Sequence, residues 1–279
     1  KNTLLHNRKS VHQTGGTPNS DTRLLSIPTP SPWYLGLCQC DPDLQKVEVR
    51  QAFKWLVDYE QLENTVMKNN GITRQSVVPL GSFGAIPAED EPYSLDLEKA
   101  KALMAEAGFP DGFKKTLIVD QEFPFPELAQ HVQENAAQIG IELEIQQMAA
   151  AQLYGQFRAR DFELGIFSWT TDVPDAHGMI SRHVYNPDNS DAAKATMLPA
   201  WRVGWDTDAL GLTEKIEAAK REIDPEKRKQ MYWEIQKTQL EHSPLIYLFQ
   251  QIDNIAVRNE VKEFPVTSFK KYYSLIEKK

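Results

Sequence analysis

The stretch at residues 141–168, IELEIQQMAAAQLYGQFRARDFELGIFS, decides the fold class. Apolar residues at 141, 143 and 145 alternate with polar ones, which is typical of a strand with one buried face. A helix is predicted over about residues 149–160, and a second, more apolar strand over 162–168. A strand, a helix and a further strand in this order indicate the βαβ unit of an α/β domain.

The alternation of strands and helices continues outward from this stretch. Upstream, the pattern predicts helices at 47–56, from Asp58 to about 69–71, at 97–107 and at 127–139, and a strand at 116–119. Downstream, it predicts a long irregular segment over 169–205, helices at 208–223 and 224–242, and one or two strands within 245–257. Asp96 and Asp224 are predicted N-caps. Residues 1–30 are typical of a tail or linker with one short strand at 24–28, so that regular structure is expected from Trp33 onward.

Composition limits the range of functions. The 279 residues contain 31 Lys and Arg against 39 Asp and Glu, a net charge of −8. This balance argues against nucleic acid or an anionic membrane as a general partner, since either favours a basic face. No apolar run approaches the roughly 20 residues of a membrane span. The chain begins at Lys1 without a signal sequence, which suggests that an upstream segment is missing.

The two cysteines predict neither a metal site nor a firm disulfide. Cys38 and Cys40 fall in a predicted strand, where an extended backbone would hold their Cα atoms about 6.5–7 Å apart, at the limit of disulfide geometry. A structural zinc site needs about four ligands, and the sequence has no second cysteine pair. A structural or incidental role is therefore predicted for both.

Enzyme motifs are not found. The segment GSFG at 81–84 lacks the Gly-x-Ser-x-Gly spacing of a nucleophile elbow and is typical of a flexible turn. No phosphate-binding loop or dinucleotide fingerprint occurs. His177 and His183, with Asp172 and Asp175 nearby, match no standard pattern of metal ligands, so no metal site is predicted.

The best candidate site is the segment FSWTTDVPD at 167–175. It follows a predicted strand, and ligands of open α/β sheets bind beyond the carboxyl ends of strands. A carboxylate at Asp172 beside the indole of Trp169 could hold a ligand ammonium through a charge-assisted hydrogen bond and a cation–π contact. The alternative is that Asp172 caps the next turn and Trp169 fills the core. The residues alone leave both interpretations open.

Several motifs, in order along the chain, resemble the family 5 solute-binding proteins of ABC importers, the dipeptide- and oligopeptide-binding group. The motifs are WYLGL at 33–37, VEVRQAF at 47–53, LDLEKAK at 95–101 with AGFPDGF at 107–113, QIGI at 138–141, WTTD at 169–172, and DPEKR at 224–228 with HSP at 242–244. The resemblance runs from about Trp33 to the end of the chain.

The resemblance implies a periplasmic binding protein of the type II-like fold, with two α/β lobes that close on a ligand. Residues 1–30 would be a linker or remnant of the first lobe, 31–245 the second, ligand-binding lobe with a mixed sheet flanked by helices, and 246–279 a return segment of the first lobe. Family members are about twice as long, so the first half is expected to be missing. The resemblance further implies a periplasmic monomer without a cofactor or enzymatic activity, with short peptides as ligands and the permease subunits of an ABC transporter as partners.

The family's functional residues can be carried over to matching positions. Asp172 would pair with the α-ammonium of a bound peptide, and Trp169 would form the adjacent wall. The hydroxyls of Thr170 and Thr171 and the aromatic ring of Phe123, which follows the predicted strand at 116–119, are further candidates for ligand contacts.

This sequence departs from the family at the ligand's other end. Dipeptide binders place cationic side chains after that strand to hold the ligand carboxylate, whereas DQEFPFP at 120–126 contains no cation. Arg202, next to Trp201 in the long loop, is a candidate replacement, and the alternative is a surface arginine. The departure also keeps open a second hypothesis, in which the same fold binds haem, a metal chelate or an oligosaccharide.

Overall fold

The computed structural model describes residues 12–14 and 21–278. The strands are β1 (His12–Thr14), β2 (Thr22–Leu37), β3 (Gly71–Thr73), β4 (Lys114–Asp120), β5 (Glu142–Met148), β6 (Leu164–Ser168), β7 (Leu245–Arg258), β8 (Val261–Glu263) and β9 (Glu277–Lys278). The helices are α1 (Val47–Leu56), α2 (Tyr59–Asn64), α3 (Leu97–Glu106), α4 (Phe125–Ala137), α5 (Ala150–Ala159), α6 (Ala176–His183), α7 (Pro199–Arg202), α8 (Leu212–Arg221) and α9 (Pro225–His242). Within this described part of the chain, no helix has the length and apolarity needed to span a bilayer.

One mixed sheet organises the chain. Its strand order is β3-β7-β2-β6-β4-β5, with β1 also paired to β2. β4 runs parallel to both β5 and β6, as the βαβ pattern predicts. β2 is antiparallel to β6 and β7. The predicted α/β class with a mixed sheet flanked by helices is therefore confirmed.

The sheet is buried on both faces because successive side chains of a strand point to opposite sides. Leu35 of β2 and Ile166 of β6 join one apolar cluster, which α1, α3 and α4 cover. Their neighbours Tyr34 and Phe167 join a second cluster, which α5, α6, α8 and α9 cover. The edge strand β5 keeps the alternation of its sequence and exposes both of its glutamates, as predicted.

Capping side chains start the predicted helices. The carboxylates of Asp58, Asp96 and Asp224 each accept a hydrogen bond from the backbone N–H three residues on, at the starts of α2, α3 and α9. This is the N-cap arrangement, which satisfies an otherwise unpaired donor of the first turn. The prediction that the second helix continues to 69–71 is wrong, since α2 ends at Asn64, where Thr65 turns its N–H and hydroxyl back onto the carbonyl of Gln61.

The segment predicted as irregular over 169–205 contains two helices. Asp175 caps α6 by accepting from the N–H of His177. The buried residues of α6 lie at 176, 179, 180 and 183, which is the spacing of one helix face. α7 begins with a proline at its first position. The prediction of an irregular segment is therefore wrong at both places.

β2 begins earlier than predicted. The chain is already extended from Thr22, and β2 pairs with β7 from the Thr22–Arg258 pair to the Gly36–Leu245 pair, with register shifts near the prolines at 28 and 32. The expectation that regular structure starts at Trp33 is wrong because β7, a distant segment, supplies the pairing. Most of the predicted tail (1–11 and 15–20) lies outside the described residues. The division at 30/31 and 245/246 stays a prediction, since the ladder of β2 and β7 runs through it.

The cysteines form a disulfide between Cys38 and Cys40, with Cα atoms 5.1 Å apart. The expected limit on this distance does not apply, because β2 ends at Leu37 and the chain turns at residues 39–40. A turn shortens the Cα separation into the range that disulfides require.

Candidate functional site

Two prolines in β2 explain why the chain leaves the sheet after Ser168. The N–H of Trp169 donates to the carbonyl of Pro32 at 3.2 Å, and that of Thr171 donates to the carbonyl of Pro30 at 3.1 Å. A proline has no N–H and cannot return the second hydrogen bond of an antiparallel pair. β6 therefore ends at Ser168, and residues 169–172 lie beside β2 without a complete ladder.

A cavity of about 630 Å³ opens beside this segment. Its walls come from four parts of the chain: residues 27–31 of β2, 170–172 after β6, positions 251 and 253 of β7, and 266–273 near the chain end. The lining includes the charged residues Asp172, Asp253, Lys270 and Lys271. The size is within the range of small-ligand sites. At this cavity Thr170, Thr171 and Asp172, which the sequence indicated, lie beside residues of the other three segments, which it did not indicate.

Asp172 is exposed and lines this cavity. Within residues 21–278 its carboxylate has no hydrogen-bond or ion-pair partner. The neighbouring hydroxyls are already engaged. Thr170 shares a hydrogen bond of 2.7 Å with Ser31, and the Thr171 hydroxyl accepts from the N–H of Val173 at 3.2 Å. The segment is thus held in place while its carboxylate stays free to meet a cation.

Trp169 is half-buried and covers a group of buried polar side chains. Its ring meets that of His183 edge-on, with centroids 5.3 Å apart. His183 donates from Nδ1 to the carbonyl of Met179 at 3.3 Å, and burial lowers its pKa to about 3, so it is neutral at physiological pH. The hydroxyls of Tyr34 and Tyr247, whose rings pack against His183, and the Nε2 atom of His183 have no hydrogen-bond partner among the described residues.

Arg202 lies under Trp169 rather than on the cavity wall. Its guanidinium is 5.7 Å from the Trp169 ring and 4.9 Å from that of Phe157, and its Nε donates to the carbonyl of Thr196 at 2.7 Å. The side chain is buried, which lowers its pKa from the usual value. It is not the surface arginine of the alternative interpretation, and neither Arg202 nor Trp169 is among the residues that line the cavity.

Trp201 and Phe123 lie outside the cavity. The Trp201 indole donates to the carbonyl of Ser190 at 2.9 Å and stacks with Arg160 at 3.8 Å, on a separate cavity of about 550 Å³ that also contacts Cys40. Phe123 is 61% exposed and follows β4. Because β4 and β6 are parallel neighbours, Phe123 projects from the same sheet edge as Trp169 without lining the described cavity.

The carboxylate of Asp175 is fully occupied. Arg228 binds it with two hydrogen bonds, at 2.7 and 2.8 Å, and the N–H of His177 adds a third at 2.9 Å. Burial alone raises the pKa of Asp175, but the bonds from Arg228 and His177 outweigh it and bring the pKa below the usual value. Across the described residues, no three His, Cys, Asp or Glu side chains are placed to hold a metal ion.

Sequence reasoning did not find Ser31, Asp253, Lys270 or Lys271. The prolines at 30 and 32, on either side of Ser31, are a local signal. Because they lack an N–H, they could have indicated that this part of β2 leaves a neighbouring segment without a complete ladder. Nothing local indicates the other three, since only the pairing of β2 with β7 brings their segments to Asp172.

These features together define the class of protein: a mixed sheet flanked by helices, with a ligand-sized cavity at its sheet edge, in the fold of the type II-like periplasmic binding proteins. The chain belongs to the bacterial extracellular solute-binding proteins of family 5. The family model described as "Bacterial extracellular solute-binding proteins, family 5 Middle" matches residues 6–191. The resemblance found in the sequence motifs is thereby confirmed.

Known relatives differ in what their names say they bind. The chain is 24% identical over 231 residues to the "Probable D,D-dipeptide-binding periplasmic protein DdpA" of Escherichia coli, covering 83% of this chain and 43% of the relative. It is 27% identical over 179 residues to "Heme-binding protein A" of Haemophilus influenzae, covering 62% of this chain and 32% of the relative. The chain therefore spans less than half the length of these relatives.

A solved structure shows the same fold. The periplasmic binding protein DppA of Helicobacter pylori, solved in complex with the peptide STSA, superimposes with a TM-score of 0.76 at 21% identity. The superposition covers 90% of this chain and 49% of that protein. At this identity the likeness establishes the fold and leaves the ligand to be argued from the site.

Proposed function

We propose that the protein is the solute-binding component of an ABC importer and that it binds short peptides through the cavity at Asp172. The observation that carries the proposal is a free carboxylate, on a segment fixed by β2, at the wall of a cavity of about 630 Å³. A peptide ammonium is a cation that such a carboxylate binds with a strong, charge-assisted hydrogen bond.

The lining of the cavity supports a peptide over haem. Backbone amides of a peptide need hydrogen-bonding walls, and Gln251 provides a side-chain amide there. The hydroxyls of Ser31 and Thr170 share one hydrogen bond, and each oxygen keeps a lone pair that can accept another. A haem site needs an axial ligand such as His, Cys, Met or Tyr. Tyr273 is the one such side chain in the described lining, and it is largely exposed.

The same proposal extends to the whole protein. Residues 31–245 form the second lobe, and 1–30 and 246–279 belong to a first lobe that closes over the cavity. The protein works as a periplasmic monomer, has no catalytic activity, and delivers its ligand to a membrane permease.

Calorimetric titration of the full-length protein with di- to pentapeptides tests the proposal. We expect Asp172→Asn to weaken peptide binding by at least 30-fold, since losing one partner of a desolvated charge pair costs about 2–5 kcal/mol. Asp161→Asn is the matched control, because Asp161 is also exposed but precedes β6 at the opposite end of the strand. It should leave affinity unchanged.

Two results would overturn the proposal. An affinity within twofold of wild type for Asp172→Asn would remove the role of that carboxylate. A protein that binds none of the peptides but copurifies with a haem absorbance band, a metal or an oligosaccharide would show the alternative ligand class.

A further inference from the structure

The cavity wall formed by residues 266–273 carries two lysines, of which one has an ion-pair partner among the described residues and the other has none. Lys271 donates to the carboxylate of Asp253 at 2.8 Å, and both side chains line the cavity. Lys270 also lines it, and its ammonium forms no ion pair with any residue in 21–278. Its ammonium lies 5.1 Å from the centroid of the Tyr272 ring.

A compact turn fixes the position of Lys270. The backbone N–H of Thr267 donates to the carbonyl of Lys270 at 2.9 Å, and the Thr267 hydroxyl accepts from the N–H of Lys270 at 3.0 Å. A bridge between Val266 and Lys271 and a 3.0 Å hydrogen bond from the N–H of Tyr272 to the carbonyl of Pro265 close the turn. The backbone of Lys270 is therefore held on the rim, and only its side chain is free to move.

The charges of the cavity can be counted by their partners. Asp253 and Lys271 neutralise each other, so that among the described lining residues Asp172 is the carboxylate and Lys270 the ammonium without an ion-pair partner. Arg202, the cation predicted for the ligand carboxylate, is buried beside Trp169, and Arg228, the arginine nearest to Asp175, is bound to that carboxylate. A ligand that satisfies both free charges carries a cation at one end and an anion at the other.

We infer that Lys270 binds the anionic group of the ligand whose ammonium Asp172 holds, so that the site selects zwitterionic ligands with a free carboxylate. The inference rests on the proposed function and adds the residue that recognises the second end. A lysine ammonium acts as a mobile point charge and does not require the bidentate geometry of an arginine. The missing cation after β4 is thereby replaced from a segment more than a hundred residues further along the chain.

The test compares peptides with a free and an amidated carboxyl end, titrated into the full-length protein, its Lys270→Gln variant and its Lys271→Gln variant. For wild type we expect the free peptide to bind at least tenfold more tightly than its amide. Lys270→Gln should weaken the free peptide about tenfold, leave the amide within twofold, and so abolish the preference. Lys271→Gln is the matched control and should retain it, since that ammonium is already occupied by Asp253.

The outcomes separate this inference from the function on which it rests. A peptide that binds normally, with a carboxylate preference that survives in Lys270→Gln, overturns the inference and leaves the proposed function standing. A preference lost equally in both lysine variants overturns the assignment to Lys270 in particular. No binding of either peptide to wild type overturns the proposed function itself. Thermal unfolding of each variant checks that the fold is intact.

Discussion

The loop after β6 has two halves, each with one aspartate, and the carboxylate is paired in one half and unpaired in the other. In the anchored half (residues 173–177), Asp175 is bound by Arg228 and a backbone N–H and caps α6. In the open half (residues 169–172), Asp172 lines the cavity and has no partner among the described residues. The two aspartates are three positions apart, and both lie in the segment 167–175 that the sequence indicated as the candidate site.

The difference shows which carboxylate a ligand can use. A charge that is already paired must lose its partner before it binds a ligand, and breaking such a pair is costly when it is partly buried. Asp172 is exposed, so it stays hydrated at little cost until a ligand cation replaces the water. The anchored half contributes stability to the fold, and the open half contributes a site.

The largest effect expected on stability comes from breaking the anchored half. Arg228→Met keeps much of the packing against Phe83 and Tyr232 but leaves Asp175 unpaired. Breaking a fully buried pair costs about 3–5 kcal/mol, and these two side chains retain 19% and 27% exposure, so we expect a loss of about 2–3 kcal/mol. Urea unfolding measures it.

The neighbouring Lys227→Met is the control for this variant. Lys227 is 69% exposed in its ion pair with Glu222, and ion pairs of such exposed lysines contribute little, so its removal should lower stability far less than that of Arg228. Equal effects of the two variants would contradict the distinction between the halves.

The pH dependence of the same pair gives the next test. The pKa of Asp175 is below its usual value because the bonds from Arg228 outweigh the effect of burial. A carboxylate with a lowered folded pKa stabilises the fold above its unfolded pKa, about 3.9, and loses this contribution as pH falls through the folded value. In Arg228→Met, burial acts on Asp175 without the opposing arginine and raises the pKa of that carboxyl above its usual value. The stability difference between wild type and Arg228→Met should therefore be largest at neutral pH and shrink as pH falls, first through the folded pKa of Asp175 in the variant and last through that in wild type. A difference that stays constant down to the lowest pH at which both proteins fold would contradict the coupling of Asp175 to Arg228.

A smaller effect is expected beneath the open half. The Tyr34 hydroxyl is fully buried and has no hydrogen-bond partner among the described residues, and burial raises its pKa. Tyr34→Phe removes a buried polar atom without breaking a bond, so we expect the free energy of unfolding to rise by about 1 kcal/mol. Tyr93→Phe is the matched control, because its hydroxyl donates to the carbonyl of Leu240, and it should lose about 1 kcal/mol. A loss in Tyr34→Phe would indicate an ordered water that bridges Tyr34, Tyr247 and His183.

Sequence alone could predict the parts of the fold that depend on local patterns. The strand at 141–148 was visible because apolar and polar residues alternate along it, and the caps at Asp96 and Asp224 because an N-cap uses its own neighbours. α6 also has a local pattern, with apolar or buried residues at 176, 179, 180 and 183. The pattern lies within the segment after Trp169 that is predicted to be irregular, so the helix was not predicted.

The remainder depends on segments far apart in the chain. Thr22 to Pro32 of β2 contain prolines that local rules treat as breaks, and pairing with β7 makes this segment a strand. In the site, the position after a strand end was enough to indicate Asp172. Arg202 was indicated for its charge, but its burial under Trp169 depends on the packing of α7. Lys270 was not indicated, because it reaches the cavity only through the return of the chain along β2.

The smallest effect on stability is expected for the residue with the greatest expected effect on binding. Asp172→Asn removes a charge that holds no described contact, and exposed substitutions of this kind usually change stability by less than about 0.5 kcal/mol. Its thermal unfolding should therefore match wild type while its peptide affinity falls. A clear loss of stability would mean that Asp172 supports the loop as Asp175 does, and the two halves would no longer differ in kind. Unchanged stability with a 30-fold weaker complex would identify a carboxylate that the fold leaves unpaired and only a ligand uses.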